Sequence, residues 1–299
     1  MLYNNSDVYI IVIYITRFET KNIANIITTL GGLTMLKKKG MFKLGMLLTA
    51  SSLMLAACGS SDSDSSTGSA GEGEKITKLV AGTEATFAPF EYMDDKGNVV
   101  GIDVDILDAM TEELGIEYEI RNVGWEPVFQ QVKNGELDLG ASGITITDER
   151  KETFDFTEPY FEATQVLVVK EDSPITSAED VKGKKVSVQI NSTGHIAAKD
   201  LLGETNPDIM AYENLPIAIQ EVINGTSEAA IGDNAVVFEY LKNNPDAKLK
   251  VIEDDAFAKE YYGFMVKKGN TEVLDLLNEG LQKIKENGKL AEITGQELE

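Results

Sequence analysis

The sequence predicts an α/β protein of two lobes, each built on a mostly parallel β-sheet flanked by helices, in the manner of a clamp. Short apolar strands alternate with amphipathic helices from residue 75 onward. The alternation occurs as two runs of similar build. In each run a strand ends in a polar turn that suits a ligand, and extended segments join the runs. We therefore expect a cleft between two lobes.

Composition narrows the possible functions. The chain has 299 residues, enough for two domains, and carries a net charge of −23. That charge argues against nucleic acid as a partner and against an anionic membrane surface held by charge. One cysteine and one histidine exclude a disulfide within the chain and a Cys/His metal cluster. We expect no metal and no cofactor.

The segment 35–57 has the order of a lipoprotein signal peptide. A lysine run at 37–39 precedes an apolar stretch, 42–57, that is too short to span a membrane. It ends in Leu-Ala-Ala-Cys, which resembles the bacterial lipobox and makes Cys58 the predicted site of lipidation. A diacylglycerol thioether carries two chains, and stable anchoring requires two. The alternative is a buried cysteine at the end of a core helix.

The rest of the N-terminal region is expected to lie outside the fold. After the cysteine, residues 58–74 are mostly serine, glycine and acids with no large apolar residue, which predicts a flexible tether. Residues 1–34 fit no role in a signal peptide, because such a peptide begins at a methionine just before its lysines. We interpret 1–34 as a misassigned upstream extension, with the true start at Met35 or Met41.

The first α/β run is interpreted element by element from apolar spacing and from the glycines that stop helices. Its strands are predicted at 78–83, 116–122 and 137–140, with two short strands around the turn at 94–98 and helices at 106–114 and 125–133.

The second run is interpreted in the same way. Its strands are predicted at 165–169, 184–189, 228–233 and 262–266, and its helices at 196–202, 216–223, 236–241 and 270–287.

The stretch 142–150 joins a predicted strand to a predicted helix start. Ile144 and Ile146 alternate with threonines, and Thr147 or Asp148 suits an N-cap. Arg150 does not suit the first turn, since a cation there opposes the helix dipole. Free amides, a threonine hydroxyl and a guanidinium together suit a small carboxylate. The alternative is a strand-to-helix turn with a solvated arginine.

Five motifs give the chain a family resemblance. They are FAPFEY at 87–92, GIDVD at 101–105, GITITDER at 143–150, DFTEPY at 155–160 and Gly-Asp at 232–233. In this order, behind a lipobox, the sequence resembles the polar amino-acid-binding proteins that serve ABC importers, bacterial solute-binding protein family 3. The resemblance covers the chain from about residue 75 to its end.

The resemblance implies an architecture and a role. Lobe 1 would be residues 75–162 with 257–299, and lobe 2 would be residues 163–256, joined by a two-crossover hinge. The protein would be a monomer, anchored by lipid to the outer face of the cell membrane. It would capture a free polar amino acid and deliver it to ABC permease subunits with a cytoplasmic ATPase.

The resemblance also implies how the two poles of the ligand are held. Arg150 would pair with the α-carboxylate, aided by Thr145 and by the turn at Ser192 and Thr193. Asp233 would take the α-ammonium on the facing lobe.

The remaining implied contacts surround the rest of the ligand. Gly143 or Ser142 would contribute a backbone or hydroxyl contact to the ammonium. Phe87 and Trp125 would sandwich the side chain.

The residues that would contact the ligand side chain match the family pattern only in part. Glu84 stands where an acid occurs in glutamine- and arginine-type binders, and it would accept donors from an amide or a guanidinium. Gln189 replaces a residue used by the best-known glutamine binder, and Asn191 stands where glycine is usual. We therefore favour glutamine, arginine or a similar polar amino acid. The alternative reading of Glu84 is a loop cap that faces water.

An enzyme on the same fold is the competing function. Dehydratases of the cyclohexadienyl or arogenate type retain the arginine and add an acid in the cleft, and Glu84 would be that acid. Asp233 and the aromatic pair fit an α-amino acid better. We expect a binding protein and not an enzyme.

Overall fold

The computed structural model describes residues 75–298. The predicted extension 1–34, the signal peptide 35–57 and the tether with Cys58 lie outside these residues. Within 75–298, no helix has both the length and the apolar character needed to cross a bilayer.

The first large sheet is built from both ends of the described chain. Numbered along the chain and given in spatial order, its strands are β5 (Glu117–Asn122), β1 (Lys78–Thr83), β6 (Leu139–Gly140), β14 (Met265–Lys267) and β7 (Phe154–Phe156). In β1, Leu79 and Ala81 are buried and Val80 is half-buried. Successive side chains of a strand point to opposite faces, so apolar residues at neighbouring positions allow helices to pack on both faces of the sheet.

The second large sheet is built from the middle of the chain. Its strands in spatial order are β10 (Ile209–Tyr212), β9 (Val186–Gln189), β11 (Ala229–Asp233), β8 (Phe161–Lys170) and β12 (Leu249–Ile252). The burial of β9 and β11 on every residue fits central strands of a sheet covered on both faces.

Both sheets are mixed, which corrects the prediction of mostly parallel sheets. Each combines two parallel pairings with two antiparallel pairings among these strands. The parallel pairs arise where a helix carries the chain back across the sheet, as β–α–β units require. The antiparallel strands belong to the segments that leave one sheet or return to it, and local sequence pattern carries no signal for their direction.

Eight α-helices flank the sheets in the described residues. They are α1 (Ile102–Leu114), α2 (Trp125–Asn134), α3 (Asp148–Thr153), α4 (Thr193–Leu202), α5 (Leu215–Asn224), α6 (Asn234–Asn243), α7 (Thr271–Glu286) and α8 (Lys289–Thr294).

The helix bounds follow the sequence signals closely, with one large difference. Helix α1 ends at Gly115 in the left-handed conformation, as predicted, but begins at Ile102 and not at residue 106. The two aspartates of the GIDVD motif therefore lie in its first turn, where negative charge is favoured. The predicted start lay four residues too late, because the motif itself begins the helix.

Two connecting strands lie side by side between the large sheets. The first half of β8 pairs antiparallel with β13 (Lys259–Tyr262), and its second half pairs with β11 and β12 in the second sheet. The strand predicted at 262–266 is thus two strands, β13 and β14, separated at Gly263 and Phe264. These two connections form the crossovers of the clamp.

A small third sheet completes the structure beside the cleft. Strands β2 (Thr86–Phe87), β3 (Glu91–Met93) and β4 (Val99–Val100) pair antiparallel, around a loop with a cis bond between Ala88 and Pro89. Buried Phe90 packs edge-on against Phe161 and Tyr262 of the crossover strands. The small sheet is therefore fastened to the base of the cleft.

Candidate functional site

A cavity lies between the two large sheets, and its space, counting the part that is open to solvent, is about 280 Å³. It is lined by eleven residues, and they are the same eleven that the sequence singled out: Glu84, Phe87, Trp125, Ser142, Gly143, Thr145, Arg150, Gln189, Ser192, Thr193 and Asp233. The structure thus brings the whole predicted set together. That these residues bind a ligand stays a prediction.

The stretch 142–150 begins as a loop and not as a strand, although Ile144 and Ile146 alternate with threonines. Strand β6 ends at Gly140. Between Gly140 and the helix start, the only strand-like pairing is a single bridge from Thr145 to Tyr262. Gly143 has a φ of 52°, which breaks the extended chain. The helix start is as predicted: the Thr147 hydroxyl accepts a bond from the Arg150 amide at 3.1 Å.

Arg150 points toward the cavity. One Nη donates to the Thr145 carbonyl at 2.8 Å, and the guanidinium carbon lies 5.5 Å from the centre of the Trp125 ring. The other Nη reaches across the cleft to the Asn191 carbonyl at 3.3 Å. Burial lowers the pKa of Arg150 to about 10, so the group remains cationic at neutral pH. The side chain is half-buried and held by these contacts, so the alternative of a fully solvated arginine does not hold.

The second lobe offers a helix N-terminus to the same space. Ser192 is the N-cap of α4: its hydroxyl accepts from the His195 amide at 3.1 Å and donates to the Gln189 carbonyl at 2.8 Å. Thr193 begins the helix. Since the first amides of a helix lack partners within it, this end favours an anion. The Ser192 hydroxyl itself is already occupied in holding the turn.

Asp233 ends β11 and is 6% exposed. Its Oδ1 accepts from the Tyr262 hydroxyl at 2.6 Å and from Gln165 Nε2 at 3.1 Å. Burial raises the pKa of Asp233 and Glu260 raises it further, whereas Tyr262 and Gln165 favour the charged form and so lower it. A ligand cation is a natural partner for this carboxylate.

The loop at Ser142 and Gly143 is fastened from behind by two buried acids. The Ser142 hydroxyl donates to Glu91 at 2.8 Å and accepts the Glu84 amide at 3.0 Å. The Gly143 amide donates to Asp103 at 3.0 Å. Asp103 lies in the first turn of α1, and its carboxylate reaches across to this loop.

Only glycine fits at position 143. A Cβ built there would lie 2.8 Å from the Phe87 ring. The positive φ adds strain for any other residue. The close approach of loop and ring therefore depends on this glycine.

Glu84 is buried in the cavity wall and does not face water. Its carboxylate accepts from Gln189 Nε2 at 3.1 Å and from the Thr86 hydroxyl, and only 5% of the residue is exposed. Burial raises the pKa of Glu84 to about 7, against the lowering effect of those two bonds. A donor or cation from a ligand would stabilise its charged form.

Contacts across the cleft show a closed arrangement. Glu84 on the first side bonds Gln189 on the second, and Asn191 Nδ2 donates to Glu126 at 2.8 Å. The hydroxyls of Thr145 and Thr193 lie 3.4 Å apart. The cavity is thus enclosed by residues of both sides.

Sequence reasoning missed three polar residues that contact the cavity lining at Thr145 and Asp233: Gln165, Glu260 and Tyr262. The Thr145 hydroxyl, assigned to a ligand carboxylate, donates to Glu260 at 2.9 Å in this structure. Gln165 and Tyr262 bond Asp233, as described above. The alternation in β13 places Glu260 and Tyr262 on one face, which is the signal that could have found them.

A clamp with two crossovers around a small polar cavity defines a solute-binding protein. Consistent with this class, the family model for bacterial extracellular solute-binding proteins, family 3, matches residues 79–297. The chain belongs to this family. It is therefore an extracytoplasmic substrate-binding protein of the kind that serves amino-acid ABC importers.

Relatives with high coverage support the assignment. A probable histidine-binding protein of Neisseria gonorrhoeae is 38% identical over 82% of this chain and 91% of its own length. The arginine-binding extracellular protein ArtP of Bacillus subtilis is 34% identical over 83% and 94%. Among solved structures, the arginine-, lysine-, histidine-binding protein ArtJ of Geobacillus stearothermophilus is 51% identical. The match covers 72% of this chain and 93% of the ArtJ chain, with a TM-score of 0.70.

Proposed function

We propose that the protein captures a cationic L-amino acid, arginine foremost, in the cavity and delivers it to an ABC permease. The observation that carries this proposal is the charge of the cavity wall. Arg150 supplies one positive charge, and Asp233 and Glu84 supply two negative charges when ionised. Buried charges are tolerated when each has a partner. A ligand with one carboxylate and two cationic groups completes the set.

Each pole of arginine has a designated partner in this proposal. Its α-carboxylate pairs with Arg150 and faces the N-terminus of α4, and its α-ammonium pairs with Asp233. Its guanidinium meets Glu84, with Phe87 and Trp125 beside its aliphatic stem. The remaining lining residues shape the wall around these contacts: Ser142, Gly143, Thr145, Gln189, Ser192 and Thr193. The names of the relatives support a cationic ligand.

Closure follows from the placement of the partners. Arg150 lies on the first lobe and Asp233 on the second, so both poles of a zwitterion are paired only when the cleft shuts. Removing a charge from water without pairing costs several kcal/mol, which disfavours a half-bound ligand in a shut cleft. Contacts that exist only in the closed form drive the shift toward it.

Glutamine is the second ligand we consider, because Glu84 also accepts from an amide: it already accepts from Gln189. The test is calorimetry with arginine, lysine, histidine and glutamine on the wild type and on Glu84→Gln. We expect arginine to bind tightest to the wild type and to lose about hundredfold or more in the variant, as when a buried charge pair loses one partner. Glutamine should change far less.

A control separates contact from long-range charge. Glu213 lies near Glu84 but is exposed, so Glu213→Gln removes the same charge without touching the cavity. We expect it to keep the wild-type preference. Equal affinity for arginine in the wild type and in Glu84→Gln would contradict the proposal.

We also propose that the protein binds its ligand without transforming it. Mass spectrometry of arginine and of the twenty-amino-acid pool after incubation should recover every compound unchanged. Turnover of any of them, or of a cyclic carboxylate such as arogenate, would favour the dehydratase alternative.

We propose that Cys58 carries a lipid anchor on the outer face of the membrane and that the protein works there as a monomer. The order of the signal segment supports this. Metabolic labelling of producing cells with a fatty-acid analogue should mark the wild type and not Cys58→Ser, which should appear in the medium. Labelling of both forms, or of neither, would contradict the anchor.

A further inference from the structure

Two hydrogen bonds hold Asp233, and both come from the crossover strands. The Tyr262 hydroxyl donates to Oδ1 at 2.6 Å from β13, and Gln165 Nε2 donates to the same oxygen at 3.1 Å from β8. Tyr262 is fully buried and Gln165 is 2% exposed. Donors this deep are not shared with solvent. Because both bonds end on Oδ1, Oδ2 is left available to a ligand.

The sheet register explains how Gln165 reaches Asp233. The two residues are direct antiparallel partners between β8 and β11. Side chains of such partners lie on the same face of the sheet, about 5 Å apart at Cβ. Their bond is therefore a consequence of strand pairing and does not depend on a flexible loop.

Aromatic packing fixes Tyr262. Its ring packs against Phe90, at 5.0 Å and edge-on, and against Phe161, at 5.7 Å and stacked. Its strand pairs with β8 on one side and bridges Thr145 on the other. The hydroxyl thus has one geometry, directed at Asp233.

We propose that Tyr262 and Gln165 are positioning residues that hold the Asp233 carboxylate ready for the α-ammonium of the ligand. The subsite for the α-ammonium is therefore held by the crossover strands β8 and β13 as well as by the second lobe. This inference rests on the proposed function and deepens it, since it says what makes the ammonium subsite work.

The charges around Asp233 oppose each other. Glu260, two residues before Tyr262 on the same face, disfavours the ionised form, and buried Glu91 lies near as well. Arg150 and the two donors favour it. Removing a donor raises the pKa of Asp233, so the carboxylate is neutralised at a higher pH. Affinity for an ammonium is then lost earlier as the pH falls.

The experiment is Tyr262→Phe, which keeps the ring and removes only the hydroxyl. We expect arginine to bind about tenfold more weakly at neutral pH, the size expected for a hydrogen bond to a charged group. The deficit should widen as the pH is lowered. Guanidinopentanoate, which is arginine without its α-amino group, should bind both proteins equally within about threefold.

Two further variants keep the test decisive. Tyr261→Phe removes the neighbouring hydroxyl, which contacts Glu162 and not Asp233, and should leave the pH profile unchanged. Glu260→Gln removes the opposing charge from a half-buried position, and should extend arginine binding to lower pH. Opposite shifts from two residues of one strand are not expected of a packing defect.

The outcomes separate this inference from the proposed function. If the wild type fails to bind arginine, the proposed function falls. If the wild type binds and Tyr262→Phe binds as well with the same pH profile, the inference alone is overturned. A loss that is equal at every pH and equal for guanidinopentanoate would also overturn it, since that result marks a merely structural role.

Discussion

Arg150→Ala should abolish amino-acid binding while leaving a folded protein. In the proposed complex the guanidinium is the partner of the α-carboxylate, and removing one member of a buried charge pair costs about 3–5 kcal/mol. The ligand-free fold should tolerate the change, because among the described residues the Arg150 side chain bonds only backbone carbonyls and lies over aromatic rings. Thermal shift with arginine and calorimetry are the measurements.

Two variants control this prediction. Arg121→Ala removes an arginine that pairs with Glu119 on the surface, and should bind as the wild type does. Arg150→Lys keeps the charge but loses the fork of donors, so it should recover part of the affinity and no more. Near wild-type affinity in Arg150→Ala would show that the carboxylate is held elsewhere.

Asp233→Asn should have the second largest effect. The amide keeps the shape of the side chain but removes the charge that faces the ammonium, a loss of about 2–5 kcal/mol in binding free energy. Guanidinopentanoate lacks the ammonium, so its affinity should not fall. Calorimetry with both compounds distinguishes loss of charge recognition from general damage.

The stability of the ligand-free protein should not fall in this variant, in contrast to its affinity for arginine. The pKa of Asp233 is raised on folding, so this group stabilises the fold only when protonated, at low pH, and that contribution is lost as the pH rises through its folded pKa. Asp233→Asn should therefore be at least as stable as the wild type at neutral pH. Asp200→Asn, on the exposed side of α4, serves as the control and should change neither property. Unaltered arginine affinity in Asp233→Asn would contradict the assignment of the ammonium pole.

The sequence was most informative where local chemistry decides the structure. Helices end where glycine adopts the left-handed conformation, at Gly115, Gly135 and Gly225, and such stops are visible in the chain itself. The strand at 78–83 was predicted to the residue because its apolar run is bounded by turn signals. The eleven candidate residues came from motif resemblance, and the structure places them around one cavity.

The sequence was least informative where distant pairing decides the structure. Strand β13 has only four residues and its partner β8 lies far away along the chain, so the alternation of Glu260 and Tyr262 is too short to mark a strand without that pairing. Glu260 and Tyr262 were missed for this reason. The antiparallel half of each sheet was missed likewise, because strand direction depends on the path of the chain through space. At Ile144 and Ile146 the alternation was real, but the turn at Gly143 prevents a strand.

The burial of Glu84 was also beyond the sequence. From the sequence alone, a glutamate in a loop is equally consistent with a loop cap that faces water and with a residue that lines a binding site. Its position is decided by the closed cleft, where Gln189 of the second sheet reaches it. Contacts between lobes are tertiary by nature, and only the structure distinguishes the two readings.

The most direct test is a crystal structure of the protein with L-arginine, beside one of the open, ligand-free form. We expect the α-carboxylate within about 3.2 Å of the Arg150 guanidinium and the α-ammonium equally close to Asp233. The two forms should differ by rotation of 163–256 against 75–162 and 257–299. A ligand with both poles on one lobe, or with its ammonium away from Asp233, would contradict the account.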